Sequence, residues 1–401
     1  MKQKNVIKLN YSTWFCVEIL LVALIAFSIV FHIPRGVSLA FSLSFIILIP
    51  LVIRYLTSEK IPLLLIALLM VALFNCILNA LLSKIANISF AYFNKLIMFF
   101  CTVVFLYSAV SMKIDETARR ILRIIPILMA VFLTASYYIF GNRTTVADGI
   151  TLSFVNSNFA AMWLVHIIFY LIYDIVYYKN PFVRIALLIL VILCLVLVYL
   201  TYTRSAFSAL AVSAILLIFG TVKKQYRPSR AFCLLISLGP VLFVLIYLLI
   251  VRADWFNQLF SFIIKTGKKL DARELLWVRA LKSANNHIIL GDYAGISRGS
   301  GVSQLHNIHI DVLCSYGLLP LILFVWFLYD ILWKTGQHIK DFLQYIAFYA
   351  FVAVIIIGFF EAALVAGSTG LYFLSGGFLA LAVSDNDAPL IQASTVKEMH
   401  T

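Results

Sequence analysis

Four side chains in this 401-residue sequence have the types and spacing to handle a phosphate-bearing leaving group: Arg204, Arg273, Arg279 and His306. A guanidinium is permanently charged, and its planar fork can hold two phosphate oxygens at once. A neutral imidazole is well matched to proton transfer near pH 7. Arg273 and Arg279 belong to the run Asp271-Ala-Arg-Glu-Leu-Leu-Trp-Val-Arg-Ala-Leu281, and His306 to Leu305-His-Asn-Ile-His-Ile-Asp311, with Gly291 between them. Both runs fall in the one long polar stretch of the chain, Arg252 to His309, roughly 58 residues that carry eight Lys or Arg and three of the seven histidines. Within it no carboxylate cluster is suited to a metal ion. The expected stabilisation of developing negative charge is therefore by arginine, with neither metal nor cofactor.

The elements that must position these groups are membrane helices. Hydrophobic residues make up 63% of the chain and charged residues 12%, with a mean hydropathy of +1.03. A soluble domain is about 45–50% apolar and about 25% charged. The apolar runs are about 20 residues long and do not alternate, which excludes a transmembrane barrel. The expected fold is an all-α polytopic membrane protein, a single integral membrane domain over residues 1–401. Twelve spans fit the pattern, at about 13–32, 36–56, 61–82, 89–112, 121–141, 159–178, 182–202, 205–222, 231–251, 310–332, 342–364 and 369–384. The six cysteines are scattered through these runs and read as small core hydrophobes. Trp14 to Val30 is too long and lacks the small-residue site of a cleavable signal, so it reads as the first span.

Most of the 31 lysines and arginines outside the long loop fall on short segments of one side, among them Lys2, Lys60, Arg119, Arg123, Lys223 and Lys334. The positive-inside rule then places both termini in the cytoplasm, with 385–401 a polar cytoplasmic tail. The long loop, 252–309, faces outward against that bias, and its surplus of cations points to an anionic ligand. The net charge of +14 is mostly this topology signal, and nucleic acid is not an expected partner. Within the loop, 273–284 has the pattern of a helix lying on the membrane interface, with Leu275, Leu276, Trp277, Val278 and Leu281 forming its apolar face. Glycines at 291, 295, 299 and 301 make the next segment able to wrap a ligand or gate a site. Pro126, Pro240 and Pro320 fall within spans and are candidate kinks. Among the intramembrane acids, Glu361 near the outer end of the eleventh span is placed to reach the same cavity as the loop. Asp174 and Asp330 sit near cytoplasmic ends and read as solvated, while His287 and His309 read as structural.

Several short motifs lie in order across residues 150–320. Thr203-Arg204-Ser205-Ala206 closes the loop after the seventh span, Arg273…Trp277…Ala280-Leu281…Gly291 crosses the long loop, and His306-Asn307-x-x-x-Asp311-x-Leu313…Gly317-Leu318 leads into the tenth span. Asn156-Ser157-Asn158 precedes the sixth span. Together they resemble the signatures of the O-antigen polymerase and O-antigen ligase superfamily, with Ser157 standing where that family's N-P-N motif has Pro. The resemblance implies a GT-C-like fold, a metal-independent membrane glycosyltransferase and a place in the bacterial inner membrane. The donor it implies is an oligosaccharide carried on undecaprenyl diphosphate. The acceptor glycan is either a lipid-linked repeat unit or lipid A-core; membrane lipids surround the site, and a chain-length regulator is an expected partner.

Such a donor presents two phosphates at headgroup depth, and breaking its anomeric C–O bond makes the diphosphate the leaving group. Arg204 at a span end, with Arg273 and Arg279 on the interfacial helix, would meet at that depth. His306 is expected to activate the acceptor hydroxyl or to position the donor diphosphate. Asn307, Asn158 and Glu361 are expected substrate contacts, Asn307 together with the free N–H groups at the start of its helix. The leading reading is polymerisation of lipid-linked repeat units on the outer leaflet. Ligation of the finished glycan to lipid A-core is the alternative, and a lipid-linked oligosaccharide flippase ranks below both. Transporters usually place their charges at the bilayer midplane, whereas these cations collect in one outer loop.

Overall fold

The computed structural model describes residues 61–82, 90–111, 116–141, 143–146, 149–152, 154, 156–223, 227–250, 276–282, 288–291, 305–362 and 371–384. The helices are α1 (Leu63–Leu82), α2 (Phe90–Ser111), α3 (Glu116–Tyr138), α4 (Ser157–Tyr177), α5 (Pro181–Leu200), α6 (Arg204–Lys223), α7 (Arg230–Ile250), α8 (Ile308–Tyr316), α9 (Leu318–His338), α10 (Phe342–Ile357) and α11 (Leu371–Val383). A further short helix occupies 276–282. Among the described residues six helices, α3 to α7 and α9, are long and apolar enough to cross a membrane; α1, α2, α10 and α11 hold shorter apolar stretches. The chain is an all-α polytopic membrane protein in its main features. The expected spans 13–32 and 36–56 lie outside the described residues.

Polar caps and short turns set where helices start. Asn156 caps α4 by accepting the Phe159 N–H at 2.9 Å. Asn180 caps α5 and is followed by Pro181 at the first helical position, where a missing N–H costs nothing. Asp341 caps α10 through the Gln344 N–H. A three-residue link makes α4 and α5 antiparallel packed neighbours. Two helices form the hub. α10 is buried over nearly its whole length, and 83% of the span of α4 lies inside the protein, against 28% for α5 and α6. Without water to satisfy polar groups, the outward faces of α5 and α6 are plain hydrocarbon, from Ile185, Leu188 and Ile192 to Ile215, Ile218 and Phe219.

Four expectations are revised. The span at 310–332 is two helices, because Gly317 breaks it with φ +95° and ψ 180°. A Cβ there would lie 2.0 Å from the Ile289 carbonyl oxygen, so only glycine lets the 288–291 turn of the loop press against the break. Asn75 holds that turn by donating to the Ile289 and Tyr316 carbonyls, and Asn79 donates to Leu290. Pro320 consequently stands in the first turn of α9, where it needs no kink. Second, Asp174 is fully buried, not solvated: Arg123 pairs with it, and the guanidinium lies 3.4 Å from the Tyr177 ring centroid, so the charge is neutralised inside the bundle. Asp330 is partly exposed and pairs with Lys334 at 2.7 Å, one helical turn on. Third, the short helix at 276–282 does not present its apolar face to lipid. Leu276, Trp277 and Ala280 are buried in a cluster with Val244, Tyr247, Leu305, Ile310 and Cys314, against α7 and α8. Fourth, a two-stranded antiparallel hairpin, β1 (Thr145–Val146) and β2 (Gly149–Ile150), stands between α3 and α4.

Candidate functional site

The site is built where four helix ends meet: the start of α4, the start of α6, the residue before the cap of α8 and the chain just after α10. His306 Nδ1 lies 2.8 Å from Glu361 Oε2, and the ring is about 30% exposed while the carboxylate is 1% exposed. The other oxygen of Glu361 accepts from Asn158 Nδ2 at 2.8 Å. Asn158 Oδ1 in turn accepts from Thr203 Oγ1 at 3.2 Å. Arg204 follows directly as the first residue of α6, with an exposed side chain. His306, Glu361, Asn158 and Thr203, drawn from sequence positions as much as 203 residues apart, therefore share one polar chain, and Arg204 is the next residue after it.

The backbone around this chain is held in costly conformations. Among the described residues the non-glycine residues at positive φ are Leu152, Tyr202 and His306, at 48°, 53° and 51°. All three stand at the site end of the bundle: Leu152 after the hairpin, Tyr202 before Thr203, and His306 itself. Such residues are uncommon outside turns and persist where the surroundings over-determine them. The surroundings of His306 do so. Trp277 Nε1 donates to the Leu305 carbonyl at 2.8 Å, and the Leu305 N–H donates to Asp311 Oδ1 at 3.3 Å. The second oxygen of Asp311 lies 2.8 Å from Lys95 Nζ on α2. The hairpin closes another side, since a Cβ on Gly149 would meet the Thr201 carbonyl at 2.3 Å and Ser157 at 2.8 Å.

Asn307 is a cap, not an open ligand. Its Oδ1 accepts the N–H groups of His309 and Ile310 at 3.0 Å, its Nδ2 donates to the Pro240 and Phe359 carbonyls at 2.9 and 3.0 Å, and it is fully buried. The amide has no capacity left for an anion. His309 accepts the Val241 N–H, next to Pro240 inside α7, through Nδ1 at 3.1 Å, a structural role for a fully buried ring. Glu361 is also recast. Its two carboxylate oxygens face His306 and Asn158, an arrangement able to orient the imidazole. Arg279 is exposed on the short helix whose Trp277 is tied to Leu305, next to His306. Arg273 lies outside the described residues.

Sequence reasoning missed Thr203 as a member of the network, the hairpin, and the pairing of Lys95 with Asp311. Thr203 and Asp311 stood inside motifs, but their partners are on other helices and no local pattern announces them.

Residues 189–325, from the middle of α5 into α9, match the family model described as O-antigen ligase. This segment is similar to the O-antigen ligase family. Family members of this kind are membrane enzymes of the glycosyltransferase or ligase type, with lipid-linked glycan substrates. No curated protein matches the chain. The matched segment contains Arg204, Arg273, Arg279 and His306, whereas Glu361, which meets the imidazole, and Asn158, which meets Glu361, come from the chain on either side of it.

Proposed function

We propose that this protein is a lipid-linked glycan polymerase. It joins repeat units on the outer leaflet of the bacterial inner membrane by transfer from a polyprenyl diphosphate carrier, with both termini cytoplasmic and 252–309 outside. The observation that supports this reading best is the imidazole of His306 held by a buried Glu361 beside the Thr203-Arg204 turn. Glu361 fixes the tautomer with its proton on Nδ1, which leaves the Nε2 lone pair to take a proton. In the proposed reaction the acceptor hydroxyl oxygen forms a bond to the anomeric carbon and its proton passes to His306 Nε2. The anomeric C–O bond to phosphate breaks, and the electron pair leaves with the diphosphate. Arg204, Arg273 and Arg279 bind that diphosphate as its charge grows, and arginine takes the place that a metal ion would have.

The ligase reading shares every one of these roles and differs in the acceptor. It draws specific support from the description of the matched family model. Purified protein in vesicles separates the two. With undecaprenyl-diphosphate-linked oligosaccharide alone, a polymerase yields a ladder of longer lipid-linked products. A product formed only when lipid A-core is added would give the ligase reading the site instead.

A further inference from the structure

We propose that Lys95 and Asp311 are positioning residues for His306: a buried ion pair that holds the Leu305 peptide and so fixes the left-handed turn on which the imidazole stands. The proposal rests on the proposed role of His306. The two oxygens of Asp311 divide their work. Oδ1 reaches back six residues to accept the Leu305 N–H, and Oδ2 meets Lys95 Nζ from α2. The carboxylate is 1% exposed and the lysine 10%. The next peptide, between Leu305 and His306, is held by Trp277 Nε1 at the Leu305 carbonyl, so the residue entering His306 is gripped at both its N–H and its C=O. The chain leaving His306 is gripped as well: Asn307 caps α8, and the Ile308 N–H donates to the Gly358 carbonyl at 2.9 Å.

A buried ion pair is weak evidence for stability, because an apolar pair of similar volume often serves packing as well. What an apolar pair cannot supply is an acceptor for the Leu305 N–H. With that acceptor gone, the turn at His306 loses one of the bonds that hold φ at +51°, and the imidazole swings away from Glu361. Misplacement of about 1 Å costs about 10²-fold in rate, and it falls on turnover and not on donor binding.

The test uses the full-length protein in lipid vesicles with the undecaprenyl-diphosphate oligosaccharide as donor. Two double variants are compared with wild type. Lys95→Met with Asp311→Leu removes both charges and the acceptor; Lys95→Met with Asp311→Asn removes the charges and keeps an oxygen for Leu305. Neither leaves an unpaired buried lysine. The readouts are kcat, donor KM and hydrogen exchange of the Leu305 amide. The apolar variant should lose about 10²-fold in kcat with donor KM nearly unchanged, and its Leu305 amide should exchange faster. The asparagine variant should keep most of the turnover and the protection. Equal losses in both variants, or full turnover in the apolar one, would overturn the positioning role. Exchange is read without turnover. A wild-type protein that transfers no glycan would thus remove the proposed function, while unchanged exchange in the apolar variant would remove the grip on Leu305 itself.

Discussion

At the scale of single residues, the account depends on a division of labour between charge and orientation. Glu361 is buried and bonded to His306 and Asn158, so in the proposed mechanism its effect on chemistry passes through the imidazole. Glu361→Gln preserves size and one hydrogen bond but lets the ring adopt the other tautomer, and loss of tautomer control in a comparable dyad costs about 10⁴-fold. We expect turnover of Glu361→Gln to fall by at least about 10²-fold, with the protein still present in the membrane; turnover close to wild type would remove Glu361 from the mechanism. The arginines act differently. Replacing Arg204 or Arg273 by Ala should abolish assembly by removing contacts to the diphosphate, and Lys should rescue poorly because a point charge does not reproduce the fork. Full activity of both Ala variants in a purified assay would take them out of the reaction.

At the scale of elements, the break between α8 and α9 decides how the loop meets the bundle. Gly317 occupies a backbone region that is essentially restricted to glycine, where another residue costs of order 1–3 kcal/mol. Its missing Cβ is also the space into which the Ile289 carbonyl fits. Gly317→Ala should therefore lower the thermal midpoint in detergent and loosen the 288–291 turn, detected as faster proteolysis within the loop; unchanged proteolysis would mean that the turn is held without the break. Much of this level was legible in the sequence. Ten apolar runs marked the eleven helices α1 to α11, with α8 and α9 under a single run, and the Thr203-Arg204, His306-Asn307 and Asn156–Asn158 motifs pointed to the ends that converge. The break was not legible, since a single glycine in an apolar run is common and its φ depends on a turn some 28 residues earlier. Nor was the burial of Asp174, because Arg123 lies on a different helix and only the packing of α3 on α4 brings them together. Asn307 was misread for the same reason: a polar residue at a helix start looks like an open ligand until the carbonyls of Pro240 and Phe359 are seen to occupy it.

At the scale of the whole molecule, the polar network containing His306 and the Arg123–Asp174 pair lie at opposite ends of α4, so the bundle has one chemically equipped face and one basic, aromatic-lined face. The proposed orientation puts the first outside. Cysteines introduced as Gly301→Cys and Lys397→Cys should react differently with an impermeant reagent in intact spheroplasts: the first labels, the second does not. Reversed labelling would place the loop on the wrong face for an outward-facing donor. The most direct test of the central claim, that His306 assists transfer without a metal ion, is a turnover assay on purified protein with lipid-linked donor in excess EDTA. Wild type should retain its activity, and His306→Ala should lose about 10²–10⁴-fold in turnover while still binding donor. Near-normal turnover of His306→Ala, or wild-type activity abolished by EDTA, would contradict the account.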